Sequence, residues 1–157
     1  MLKASNNISY QGNVNITHKI NGRKITNNYK NNGTLSLFNL IAKALAGYDI
    51  SQNIPKLLRI VDSSGAIGSK YCPLTGIIYG NNENTSYLSC TCVLTKDDII
   101  NESLSNPQLT LADYSGNTLA YIDIPEATFS TISTDGLETD IVWELQFGNG
   151  TLLGSGE

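Results

Sequence analysis

Charge is scarce in this sequence. Only 15 % of its 157 residues are Asp, Glu, Lys or Arg, and the formal net charge is −4. Ten basic residues spread along the chain offer no basic face to follow a phosphate backbone, so no nucleic-acid partner is expected. The densest basic stretch, Lys19 to Lys30 with Arg23 and Lys24, reads as a solvated hairpin. Histidine is scarcer still. His18 stands alone and leaves Ser–His or Cys–His catalysis no choice of base. Cysteine is present in an odd number, Cys72, Cys90 and Cys92, which argues against a disulfide framework. Cys90 and Cys92 with one His fall short of the four ligands of a zinc site. No apolar run approaches membrane-spanning length, and the first residues lack the basic-then-apolar pattern of a signal peptide. These absences lead us to expect no catalytic residue, no cofactor, no metal and no membrane partner, in a protein made in a cytoplasm.

Two stretches mimic chemistry without completing it. Gly65-Ala66-Ile67-Gly68-Ser69-Lys70 has the residues of a phosphate loop but neither its spacing nor a following helix. Asp97 and Asp98 invite an acid–base reading, yet Thr95 ahead of them makes the group read as a capped helical turn. An enzyme is therefore not the expected answer.

What fills the chain instead is Asn, Ser, Thr and Gly around short apolar alternations. Val14, Ile16, His18 and Ile20 share one strand face, with Asn13, Asn15, Thr17 and Lys19 on the other. Asn21-Gly22 follows, a strong hairpin signal because both residues tolerate the positive φ of a type I′ turn. The return strand is read as Arg23 to Tyr29, with Asn31-Asn32-Gly33 turning the chain into a helix. Here His18 is a partly buried, hydrogen-bonded ring. Further strands are read at Leu57–Val61, Ile77–Tyr79, Tyr87–Leu94, Gln108–Tyr114 and Thr118–Ile124. The clearest is Asp140–Phe147, where Ile141, Trp143, Leu145 and Phe147 alternate with polar neighbours and Trp143 serves as core anchor. Cys90 and Cys92, two apart on a strand, point together into the core. Phe129, Ile132 and Leu137 fall in a Ser/Thr-rich connection.

One helix is expected, at about residues 35–47. Leu37, Phe38, Ile41, Ala44, Leu45 and Tyr48 recur at spacings of three and four and form the face to be covered. Thr34 or Ser36 is the candidate N-cap, and Gly47 suits the left-handed C-terminal position. The length suits one domain. The expected fold is mainly β, a β-sandwich of Ig-like or jelly-roll kind with this one inserted helix. The domain spans 1–157, with short flexible tails at residues 1 to 9 and Gly148 to Glu157.

A resemblance adds a function. Asn31-Asn32-Gly33-Thr34, then Leu35-Ser36-Leu37-Phe38, Leu45-Ala46-Gly47-Tyr48-Asp49, and the closing Ile141-Val142-Trp143-Glu144-Leu145-Gln146-Phe147-Gly148-Asn149 resemble small virion structural proteins of tailed bacteriophages, including crAss-like and related gut phages. The resemblance covers about a third of the chain. It implies a non-enzymatic capsid- or tail-associated building block, made in the bacterial host cytoplasm and located in the virion. Its partners would be other virion proteins and copies of itself, as a homo-oligomer or part of a large assembly. A different function, binding carbohydrate or a host surface as a tail module, would use Tyr10, Tyr29, Tyr79, Tyr87 and Tyr114 as exposed stacking platforms.

Overall fold

In the computed structural model the described residues are 10–82 and 85–148. Both expected tails, apart from Gly148, lie outside them. The chain runs β1 (Tyr10–Ile20), β2 (Arg23–Gly33), α1 (Leu35–Leu45), β3 (Leu57–Asp62), β4 (Cys72–Pro73), β5 (Gly76–Asn81) and β6 (Thr85–Leu94). A 3-10 turn at Lys96–Asp98 precedes β7 (Pro107–Ala112), β8 (Thr118–Asp123), α2 (Glu126–Ile132) and β9 (Glu138–Gly148). The strands form one nine-stranded antiparallel sheet in the order β4-β3-β7-β8-β2-β1-β9-β6-β5. The protein is mainly β, as expected, and the sheet curls into a half-barrel.

The curl follows from where the apolar rows sit. Val14, Trp143 and Cys90 lie side by side across β1, β9 and β6, and Ile16, Ile141 and Cys92 form the next row. On the other half, Leu58, Leu111 and Ala120 align across β3, β7 and β8, beside Ile60, Leu109 and Ile122. All twelve side chains are buried. Two apolar surfaces in one sheet are hidden only if the sheet bends round so that they enclose a common core. The bend is made at two places. β2 reaches β8 only through Asn32 and Gly33, opposite Tyr121 and Ala120. Past β4, the Thr75 amide donates to the Thr91 carbonyl at 2.8 Å, which carries the chain from the β3 side to the β6 side.

The Asn21-Gly22 hairpin forms as read, with φ of 49° and 79°. The return strand is longer than expected. Residues Asn31 to Gly33 stay in β2 rather than turning, because β8 offers Asn32 and Gly33 a second partner. α1 ends as expected: Gly47 has φ 84°, and the Tyr48 and Gly47 amides donate to the Lys43 and Ala44 carbonyls at 3.0 and 3.1 Å. Its start differs. Neither expected cap makes a side-chain bond there; the Thr34 hydroxyl donates instead to the Thr118 and Leu119 carbonyls at 2.6 and 3.1 Å, pinning the helix to β8.

That pin turns the helix away from the expected face. Leu37 and Leu40 are buried and Ile41 half-buried, whereas Phe38, Leu45 and Tyr48 are 46, 82 and 66 % exposed. α2 is a second helix where only a connection was expected; it buries Thr128, Phe129 and Ile132.

Candidate functional site

The residues singled out for chemistry are placed in structural duties. Asp98 accepts from the Thr95 amide at 2.9 Å and Asp97 is exposed, as the cap reading requires. Ser69 is buried: its hydroxyl accepts from the Ile60 amide and donates to the Lys70 carbonyl, both at 2.8 Å. A side chain at Gly68 would run into Leu104. Gly68 and Ser69 are thus packed against the core, while Gly65, Ala66, Ile67 and Lys70 are exposed. The three cysteines are free and buried, and burial pushes their thiols up, to about 12 for Cys72 and Cys90 and about 11 for Cys92. Among the described residues, no three His, Cys, Asp or Glu side chains gather as metal ligands.

His18 is more deeply buried than expected, at 3 % exposure. Its Nδ1 is 2.9 Å from the Thr139 hydroxyl, while Nε2 has no hydrogen-bond partner among the described residues. Desolvation lowers its pKa below the ordinary 6.5. The unfolded chain therefore takes up this proton first, and the neutral ring's contribution is complete above pH 6.5 and declines as pH falls below it. Asp62 sets a second window. Its carboxylate accepts from the Asn106 and Ser64 amides, each at 2.9 Å, which holds its pKa at about 2 against an ordinary 3.8. Its stabilisation is present above pH 3.8 and lost as pH falls through about 2. Urea unfolding across pH should show both declines. His18→Gln should remove the upper one and Asp62→Asn the lower; unchanged profiles in both variants would contradict these assignments.

The five tyrosines do not make a common platform. Tyr10, Tyr29 and Tyr87 are partly buried, and Tyr29 bonds Thr128 at 3.1 Å. Only Tyr79 and Tyr114 are largely exposed, at 67 and 68 %; one is on β5 and the other in the turn between β7 and β8.

The feature with the strongest claim to function is the uncovered side of α1. Ile41 and Leu45 form a ridge between two apolar hollows. One, of about 260 Å³, continues to Ile50, Ile54 and Leu88; the other, of about 350 Å³, is walled by Tyr10, Phe38 and Phe147. The Tyr10 ring meets Phe38 edge-on at 5.9 Å between centroids and Phe147 at 5.5 Å, so three aromatic rings make one wall. On the sequence alone Tyr10 is one of the exposed stacking tyrosines and Phe147 a residue on a strand face. Their meeting with the helix depends on the β1–β9 register, which sets Tyr10 opposite Phe147.

A polar network holds this wall. The Tyr10 hydroxyl bonds the side-chain amide of Asn31. With its nitrogen toward that hydroxyl, Asn31 accepts through its oxygen from the Asn13 amide at 3.1 Å and from Trp143 Nε1–H at 3.0 Å. Gly12 lies opposite Asn31 in the β1–β2 ladder, and a Cβ there would overlap the Asn31 amide. Burial raises the Tyr10 pKa, so the phenol stays protonated in this network.

The chain matches no known family, no curated protein and no solved structure. No helix among the described residues is long and apolar enough to cross a membrane.

Proposed function

We propose that this chain is a non-enzymatic structural component of a tailed-phage virion, a capsid- or tail-associated building block that acts through subunit contacts. The observation that carries this reading is the open apolar groove along α1. Exposed apolar surface of this continuity is characteristic of a protein–protein contact, and the sequence resemblance supplies the class of assembly. The partners in this reading are neighbouring virion proteins and further copies of the chain, not nucleic acid or a membrane. Synthesis is in the host cytoplasm, where buried free thiols persist. The facing halves of the curled sheet are read as the two layers of a sandwich of Ig-like or jelly-roll kind.

Groove variants test the reading. Leu45 is 82 % exposed, so Leu45→Lys should leave the unfolding transition where it is while placing a charge in the contact. In particles assembled from a mixture of wild-type and variant chains, the variant should be depleted about tenfold or more, as a loss of about 1.4 kcal/mol of contact energy requires. Equal incorporation would remove the groove from the assembly.

A further inference from the structure

We infer that the edge of β5, free among the described residues, is a self-association site, pairing antiparallel with β5 of a second copy across a two-fold axis. The inference deepens the assembly reading, on which its place in a particle rests; the dimer itself can be measured without one.

An open strand edge presents unpaired backbone donors and acceptors, and folded proteins blunt such edges with short strands, proline, bulges or charge. The other free edges of this sheet carry those devices. β4 is two residues long and contains Pro73, which has no amide hydrogen. β2 is open along Arg23–Lys30, since β8 reaches only Asn32 and Gly33, and that edge displays Arg23, Lys24 and Lys30. β5 has none of them. Gly76-Ile77-Ile78-Tyr79-Gly80-Asn81 is uncharged and free of proline, and it pairs with β6 without a register shift.

The strand is also bare on both faces. Ile78 is 65 % exposed, while Ile77 and Tyr79, which alternate with it, are 42 and 67 % exposed. Its shape is held ready. The Tyr87 ring lies across Gly80, where a Cβ would collide with it, and Asn81 Nδ2 donates to the Tyr79 hydroxyl at 3.0 Å.

The occupant follows from chemistry. An extended strand satisfies such an edge with a row of main-chain bonds, and β5 itself is a complementary one. Two-fold antiparallel pairing keeps each face on its own side and is self-complementary. Centred on Ile78, it sets Ile78 beside Ile78 and Ile77 beside Tyr79 of the other copy, with no like charges opposed. Pairing β5 to β2 over residues 23–27 would set these side chains against Arg23, Lys24, Thr26 and Asn27, with Ile25 the one apolar residue among them. Pairing β2 to β2 over its whole open length, Arg23–Lys30, would set Arg23 against Lys30 of the other copy.

Light scattering coupled to size exclusion on the full chain, over a concentration series, tests this. The mass should rise from 17.0 kDa toward twice that value. Ile78→Lys, which sets two lysines opposite each other at the axis, should raise the dimer dissociation constant by about a hundredfold; Tyr79→Lys, which sets a lysine beside Ile77 of the other copy, should raise it by less. Both positions are exposed, and circular dichroism should be unchanged. Ile25→Lys on the β2 edge should leave the dimer intact. A wild-type mass fixed at one chain would overturn the inference. So would a dimer that survives both β5 substitutions, or one lost only in Leu45→Lys, which would place the second copy on the groove. Particles that lack the protein would end the virion reading while leaving a β5 dimer standing.

Discussion

Trp143→Ala should lower the unfolding free energy by about 3–5 kcal/mol, the range for removing a fully buried aromatic side chain. Trp143 has no exposure and sits between Val14 of β1 and Cys90 of β6, so its removal opens the middle of the apolar row joining three strands. The neighbours cannot close that space without breaking the β1–β9–β6 register. Trp143→Phe should cost less, about 1–3 kcal/mol, since it keeps a ring in place but loses the Nε1–H bond to Asn31. Because Trp143 is the only tryptophan, unfolding is followed by circular dichroism in urea rather than by its fluorescence. A loss below about 1 kcal/mol for the alanine variant, well outside the expected range, would mean that the strand row is not the centre of the core.

Asn31→Leu should cost about 2–4 kcal/mol, although it replaces a polar side chain by an apolar one near the core. It leaves the buried Trp143 Nε1–H and the Asn13 amide without their shared acceptor and takes a partner from the Tyr10 hydroxyl. Unmade bonds on buried donors are what make such a replacement costly. The double variant Asn31→Leu with Trp143→Phe removes donor and acceptor together, so its cost should be smaller than the sum of the two single losses. Strict additivity would show that the two side chains do not act as a pair. Gly12→Ala reaches the same network from the opposite strand, because its methyl group would displace the Asn31 amide.

Neither the network nor the groove could be read from the sequence, and the reason is the same for both. Asn31 belongs to an Asn-rich run of turn-like composition. Its burial at 8 % exposure depends on the glycine opposite it and on a tryptophan 112 positions further along. The strands and their hairpin were legible because alternation and Asn21-Gly22 are local signals. β1, β3, β6, β8 and β9 lie within a few residues of where the alternation puts them. α1 was legible in extent, at Leu35–Leu45, but not in orientation. Its apolar stripe is wide enough to admit several rotations, and the Thr34 bonds to β8 choose one that buries Leu37 and Leu40 while leaving Phe38 and Leu45 outward. Phe38→Ala should accordingly cost less than Leu37→Ala. α2 escaped notice because seven residues give a single pair of apolar positions, Phe129 and Ile132, within a Ser/Thr-rich stretch that favours no helix on propensity. Pro125 and Glu126 at its start were the signal available.

The central claim is that the chain is a structural subunit of a particle. If the proposal holds and the source is a tailed phage, quantitative mass spectrometry of its purified particles tests this most directly. The account predicts that the protein co-purifies with the particles in a fixed ratio of many copies to the known single-copy components, and that the ratio survives high-salt washing, since the proposed contacts are apolar. Absence of the intact protein from particles, with its presence confined to the infected-cell lysate, would contradict it.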